Sequence, residues 1–142
     1  MQDREQIVLA IRASWTIETS SDPDDWTPDN PSRGQCDASS FVFWEKFGGD
    51  LVLAEVFRDG VRTEHHYWNR IDGMDIDLTA EQFTHDEEIV EKSVLSNQFL
   101  RANAGDMHQE LRDRIDMLRT AVDARLAVAQ SSEATGLSAP SQ

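Results

Sequence analysis

The sequence is poor in cysteine, proline and long hydrophobic runs, with one cysteine and four prolines among 142 residues. A lone cysteine cannot form an intrachain disulfide, which argues against a small secreted domain held together by disulfides. No apolar run approaches the length of a transmembrane helix, and the first residues do not resemble a signal peptide. We therefore expect a cytoplasmic protein with no membrane partner.

Basic residues are also scarce, since 13 Lys and Arg stand against 27 Asp and Glu, giving a formal net charge of -14. An acidic surface repels phosphate backbones, and no local basic patch interrupts it, so we expect no nucleic-acid partner. The same negative charge disfavours a thiolate. A reactive Cys36 would therefore need a positive group or a helix dipole close by.

The length predicts a single domain, which we place at residues 1–130. Its 28% charged and 39% hydrophobic residues are typical of a globular protein. Residues 131–142 are rich in Ser, Ala, Gly and Pro and poor in apolar groups, so we expect a disordered tail there.

Hydrophobic spacing predicts an α+β fold, with an antiparallel β-meander packed against a helix carrying Cys36 and a long C-terminal helix. Helices are predicted over residues 3–15, 37–47 and 107–129, and a short one is predicted to begin at Thr79. Residues 19–33 are predicted to form a loop that Trp26 holds in place, because a wet indole is costly.

Two dipeptides, Asp59-Gly60 and Asp72-Gly73, are strong hairpin signals. They separate three predicted strands, at residues 50–57, 63–71 and 74–78. The middle of the chain therefore predicts three consecutive antiparallel strands.

Cys36 is expected at the N-terminus of a helix, because Pro31, Gly34 and Gln35 force an irregular backbone just before it. There the dipole and the free N–H groups lower a thiol pKa, and those N–H groups can stabilise an oxyanion. The alternative is a small buried side chain without chemistry, which is the common fate of a free cysteine.

Two histidines and two aspartates follow in the predicted strands. His65 and His66 must point to opposite faces of the sheet, so one of them can face a packed helix. Asp75 and Asp77 share a face of the next strand, where a carboxylate could hold an imidazole in the required tautomer. Each of these two histidines and two aspartates could equally have a purely structural role. No metal-ligand spacing is present, so we expect neither a metal site nor another cofactor.

The order of these motifs resembles the YunG-like proteins of bacteria. The resemblance covers about half of the chain and rests on Ser14-Trp15, Glu18-Thr19-Ser20, Trp26, Asn30-Pro31-Ser32, Gly34-Gln35-Cys36, Gly48-Gly49, His66-Tyr67-Trp68-Asn69, Asp77-Leu78-Thr79 and Gln82-Phe83.

The YunG-like pattern in turn looks like a small papain-like or transglutaminase-like fold. That resemblance implies a papain-like core, with Cys36 as nucleophile, His66 as base and Asp77 as the residue that orients the base. The choice between His65 and His66 stays open, and Asn69 is a weaker alternative for orienting the base. Candidates for the oxyanion hole or for substrate binding are Gln35, Trp26, Trp68 and Asn69.

Two functions remain open at this point. The first is a cysteine-dependent acyl-transfer enzyme, such as an amidase, peptidase, deamidase or transglutaminase, acting on a peptide or another amide. The second is a binding or interaction module on the same fold, in which the Cys, His and Asp residues are structural or vestigial. The oligomeric state is left open by the sequence.

Overall fold

The computed structural model describes residues 3–83 and 86–138. These residues contain four α-helices and a four-stranded antiparallel sheet, joined by loops and short turns. The helices are α1 (Arg4–Ala13), α2 (Cys36–Phe47), α3 (Asn97–Asn103) and α4 (Gln109–Ser138). The strands are β1 (Asp50–Arg58), β2 (Val61–Ile71), β3 (Met74–Ile76) and β4 (Glu88–Leu95). The prediction of a mixed α+β fold is confirmed.

Two tight turns set the register of the sheet. Asp59-Gly60 joins β1 to β2 and Asp72-Gly73 joins β2 to β3, and all four residues have positive φ. Positive φ at both central residues is the type I′ geometry, which matches the twist of the flanking strands. The predicted meander is therefore present, although β3 ends at Ile76 and pairs only with the end of β2.

The fourth strand was not predicted. β4 pairs antiparallel with β1, so that the strand order is β3-β2-β1-β4 and β4 lies at an edge. Its side chains are mostly exposed. The register shifts between Leu53 and Ala54, which leaves Lys92 as an extra residue, a β-bulge in the edge strand.

The core lies between the helices and one face of the sheet. α2 packs against β2, while α4 packs against α1 and α2. The spacing of Leu111, Ile115, Leu118, Val122 and Leu126 predicts an apolar stripe on the long helix, and the last four of these residues are buried. α1 begins with a capping box, in which Asp3 and Gln6 each bind the other's backbone N–H.

The loop before α2 is ordered as predicted. Trp26 is partly buried, and its indole N–H donates to the backbone oxygen of Pro31 at 2.9 Å. Gly34, near the end of this loop, has a φ of 74° and lies against Ser20, where a methyl group would have no room. These contacts therefore define the backbone conformation of the loop that leads into Cys36.

The long helix does not end where the sequence suggested. A disordered tail was predicted from residue 131, but α4 continues to Ser138. The stretch between Ala129 and Ser138 contains no proline to interrupt the i to i-4 hydrogen bonds, so the helix can continue. Residues 139–142 lie outside the described residues. Among those described, no helix has both the length and the apolar character needed to cross a membrane.

Candidate functional site: a buried polar centre and an adjoining cleft

Cys36 is the first residue of α2, as predicted, and its side chain is buried. Burial first, and then the neighbouring carboxylates of Asp37, Glu64 and Asp77, raise the pKa of the thiol to about 12. The backbone N–H of Tyr67 donates toward the sulfur and acts in the opposite direction. Burial and negative charge thus outweigh the helix terminus, and the thiol stays protonated at neutral pH.

A cation at the start of α2, Arg114, is already paired with a carboxylate. Arg114 of α4 donates to both carboxylate oxygens of Asp37, with both distances 2.8 Å. The guanidinium side chain is 9% exposed, so the pair is largely shielded from solvent. A bidentate Arg–carboxylate pair has a strong geometric preference. Arg114 therefore balances Asp37 and does not supply a free positive charge to Cys36.

His66 and Asp77 meet as predicted. The imidazole is fully buried, and its Nε2 lies 2.7 Å from Oδ2 of Asp77. The other ring nitrogen, Nδ1, lies 3.3 Å from the side-chain nitrogen of Gln82. The other carboxylate oxygen, Oδ1 of Asp77, accepts from the backbone N–H of Thr79. Phe83 packs edge-on against the imidazole. We call the three hydrogen-bonded side chains of His66, Asp77 and Gln82 the polar centre.

The orientation of Gln82 assigns the histidine tautomer. Its Oε1 accepts from the backbone N–H of Gly34, which leaves its amide N–H groups to face Thr79 and His66. Nδ1 of His66 therefore accepts a hydrogen bond, and the ring proton sits on Nε2 and is donated to Asp77. Both ring nitrogens are occupied inside the polar centre.

No hydrogen bond joins Cys36 to His66 within residues 3–83 and 86–138. The pleat of β2 accounts for this missing hydrogen bond, because Asn69 donates to the backbone oxygen of Ser40 in α2. Asn69 therefore faces the cysteine-bearing helix, and His66, three positions earlier, points to the opposite face. The structure brings His66 and Asp77 into contact, and Cys36 is hydrogen-bonded to neither of them among the described residues.

The alternatives within the histidine and aspartate pairs have different surroundings. His65 is exposed and contacts Arg62 through its Nε2, at 3.1 Å. Asp75 forms an ion pair with Arg70, and hydrogen bonds from that guanidinium lower its carboxyl pKa. Neither residue takes part in the polar centre.

Gln35 is fully buried and holds the preceding turn in place. Its Oε1 accepts from the hydroxyl of Thr19 at 2.8 Å, and its Nε2 donates to the backbone oxygen of Thr16 at 2.9 Å. Both ends of the side chain are thereby satisfied. In this arrangement the side chain of Gln35 links the start of α2 to the turn at Thr16 and Thr19. Its expected place beside an oxyanion hole stays a prediction.

The remaining candidates are spread over different surroundings. Trp26 closes the loop before α2. Trp68 packs beside the imidazole of His66, with ring centres 5.7 Å apart. Asn69 is fully buried, and its side-chain oxygen has no hydrogen-bond partner among the described residues. Asn69 belongs to the interface between α2 and the sheet, away from the Asp77 carboxylate that orients His66.

A cleft of about 350 Å³ opens beside the polar centre, and we call it the Gln82 cleft. It lies between the loop before α2, the β1–β2 hairpin and the segment after the polar centre. The lining residues are mostly charged or polar and include Arg33, Arg58, Thr63, Glu64, Gln82 and Glu87. Its volume is in the lower range of small-molecule sites.

Across the described part of the chain, no group of three or more His, Cys, Asp or Glu side chains is arranged to hold a metal ion.

Sequence patterns do not single out three important residues of this region. Gln82 contributes only to the family resemblance, Arg114 lies on the polar side of its helix, and Glu87 belongs to no motif. Arg114 and Asp37 are 77 positions apart, so only tertiary packing brings them together. For Gln82 the available signal is its short spacing from Asp77 on the segment after β3.

Comparison with known proteins identifies the family. A family model described as YunG protein matches residues 3–127. A curated relative, "Uncharacterized protein YunG" of Bacillus subtilis (strain 168), is 34% identical over 79 residues, which is 56% of this chain and 62% of the relative. The matched region thus spans less than two thirds of that relative. No solved structure matches the chain significantly. The family match covers most of the chain, including the polar centre and the Gln82 cleft, and the protein therefore belongs to the YunG family.

Proposed function

We propose that this domain is a binding module that takes a small polar ligand in the Gln82 cleft. In this proposal Cys36, His66 and Asp77 maintain the structure around the cleft and perform no covalent chemistry. The observation that carries the proposal is that Asp77 and Gln82 occupy both ring nitrogens of His66. No basic nitrogen is left to accept the thiol proton, which a cysteine nucleophile requires.

Gln82 links the cleft to the polar centre. Its side chain lines the cleft while it binds His66, Thr79 and the backbone of Gly34. A fully satisfied network of this kind holds side chains in one arrangement, which is what preorganised ligand recognition needs. The imidazole and carboxylate therefore act as the support of a binding surface.

The reactivity of Cys36 tests this proposal. Because Cys36 is the sole cysteine, iodoacetamide labelling reports on one site. We expect labelling to be much slower than that of an unstructured thiol with the ordinary pKa of about 8.5. The rate should increase only under strongly alkaline conditions, because burial and carboxylates raise the pKa of this thiol to about 12. The rate is measured by intact mass against time at a series of pH values.

Two variants complete this experiment. His66→Ala and the more conservative Asp77→Asn should not slow the labelling, since the proposal gives neither residue a role in activating the thiol. Cys36→Ser is the control for labelling elsewhere in the chain. Fast labelling near neutral pH that disappears in both the His66 and the Asp77 variants would contradict the binding proposal.

Acyl transfer by Cys36 is the second candidate function. It is favoured by the 2.7 Å contact between His66 and Asp77 and by the position of Cys36 at the start of α2. The papain-like or transglutaminase-like resemblance supports the same function, with a peptide or amide as substrate. It requires that Gln82 release Nδ1 of His66 and that the imidazole reach the sulfur.

An activated ester separates the two candidates. In an acyl-transfer enzyme the Cys36 thiolate would attack the carbonyl of p-nitrophenyl acetate, forming a thioester and releasing p-nitrophenolate. A stoichiometric burst of p-nitrophenolate with one acetyl group on Cys36 would favour the enzyme. We expect no burst beyond that of Cys36→Ser.

A further inference from the structure

Glu87 carries a carboxylate oxygen without a counterpart. Its Oε1 is buried and has no hydrogen-bond partner in the described part of the structure, although Glu87 lines the Gln82 cleft. A buried acceptor without a donor costs free energy, so native proteins rarely keep one without a function. The missing counterpart is a hydrogen-bond donor, and a cationic N–H donor would also balance the charge of the carboxylate.

A guanidinium without a counterpart lines the same cleft. Arg58, at the end of β1, is exposed and has no ion pair or side-chain hydrogen bond to a described residue. Arg33, by contrast, is engaged by Asp22 and Glu64, each at 3.0 Å. Among the described lining residues, the cleft thus contains one guanidinium without a partner, Arg58, and one buried carboxylate oxygen without a donor, Oε1 of Glu87.

The charges in the cleft select among ligand classes. Asp25, Glu64 and Glu87 carry three negative charges, while Arg33 and Arg58 carry two positive ones. A ligand with only a negative charge would be repelled by the net negative lining of the cleft. A ligand with only a positive charge would leave Arg58 without a counter-ion. A ligand with one charge of each sign satisfies both groups at once.

We propose that the Gln82 cleft binds a small zwitterion of the free amino-acid class, with its ammonium on Glu87 and its carboxylate on Arg58. This inference rests on the proposed binding function and names its ligand. Arg–carboxylate contacts are bidentate and ammonium–carboxylate contacts are charge-assisted, so the two ends fix the orientation of the ligand. The polar side chains of Thr63 and Gln82 are left to contact the variable part.

The test uses the standard L-amino acids at millimolar concentration as probes of the full chain, first by thermal shift and then by calorimetry. We expect at least one amino acid to raise the melting temperature and to bind with a single site. Its N-acetyl derivative, which lacks the ammonium, and its C-terminal amide, which lacks the carboxylate, should each bind at least about tenfold more weakly, since hydrogen bonds to charged groups are strong.

Matched variants assign the two contacts. Glu87→Gln and Arg58→Gln should each weaken binding at least about tenfold. The controls are Glu88→Gln and Arg112→Gln, which make the same charge changes at exposed positions outside the cleft and should bind as the parent does. A second readout is the unliganded melting temperature, which Glu87→Gln should leave unchanged or increase, because it removes a buried charge.

Other outcomes overturn the proposal. It fails if no standard amino acid binds, if binding survives both Glu87→Gln and Arg58→Gln, or if the amide or the N-acetyl derivative binds as well as the free amino acid. Putrescine and acetate are titrated in parallel. Binding of either in the cleft, lost in Glu87→Gln or Arg58→Gln, would reject the zwitterion and retain the binding function. Fast, His66-dependent labelling of Cys36 would instead reject the binding function itself.

Discussion

At the residue scale, the thiol at the start of α2 and the imidazole paired with a carboxylate do not share a hydrogen bond among the described residues. The His66–Asp77 pair could be predicted, because a two-residue turn brings the ends of β2 and β3 together. The missing hydrogen bond between Cys36 and His66 could not be predicted, because it depends on which face of β2 the helix α2 covers. Asn69 facing Ser40 decides that question.

Cys36 makes the stability of the fold sensitive to alkaline pH. Its thiol has an ordinary pKa near 9.0, which burial and Asp37 raise to about 12 in the folded protein. The folded state therefore keeps a proton that the unfolded chain loses. This contribution is complete below pH 9 and is lost as the pH increases toward 12, by about 1.4 kcal/mol per pH unit.

Urea unfolding at increasing pH, in the parent and in Cys36→Ala, measures this effect. The difference between the two curves reports on the thiol together with Tyr67, whose pKa burial, Asp37 and Cys36 also raise. We expect the parent to lose more free energy of unfolding above pH 9 than the variant. Parallel curves over this range would show that the thiol is not perturbed by the fold.

At the element scale, the loop before α2 depends on one glycine. Gly34 has a φ of 74°, and a Cβ there would lie 2.3 Å from the hydroxyl oxygen of Ser20 and 2.8 Å from the backbone nitrogen of Asp22. Gly34→Ala must therefore displace backbone as well as adopt an unfavourable conformation, which by itself costs about 1–3 kcal/mol.

Gly60→Ala is the matched control for this loop. Gly60 has a similar φ of 79°, but a Cβ added there would meet nothing within 4 Å. Chemical denaturation should show that Gly34→Ala destabilises the protein more than Gly60→Ala does, and the difference measures the steric contact. Equal losses in the free energy of unfolding would mean that the loop accommodates the added methyl group without a measurable energetic penalty.

The elements differ in how well local sequence specifies them. The two Asp-Gly turns, the start of α2 and the apolar stripe of α4 follow from short patterns, and all were predicted. β4 and α3 were missed. The apolar residues of β4, among them Ile89, Val90 and Val94, do not mark one buried face, and its partner β1 is distant in the chain. Only tertiary pairing defines such a strand.

At the scale of the whole molecule, the excess of acid dominates. A formal net charge of -14 on 142 residues makes the folded state repel itself. Many of the ion pairs that oppose this repulsion are partly exposed, and exposed pairs contribute only about 0–1 kcal/mol each. Added salt should therefore screen more repulsion than attraction.

We expect the melting temperature to increase with NaCl between about 0.01 M and about 1 M, where the Debye length falls from about 30 Å to about 3 Å. The measurement is a calorimetric melt at each concentration. Sucrose at matched osmolarity is the control for preferential exclusion. A melting temperature that falls with salt would show that the ion pairs contribute more to stability than the charge repulsion takes away.

The bulge at Lys92 has a consequence for the behaviour of the protein at high concentration. An open sheet edge offers free N–H and C=O groups to any neighbouring chain, and such edges are templates for fibres. An extra lysine residue interrupts the repeat of β4 and adds a charge at the place where another strand would begin to align. An edge interrupted in this way is a poor template for a further strand, which opposes edge-to-edge association of the protein at high concentration.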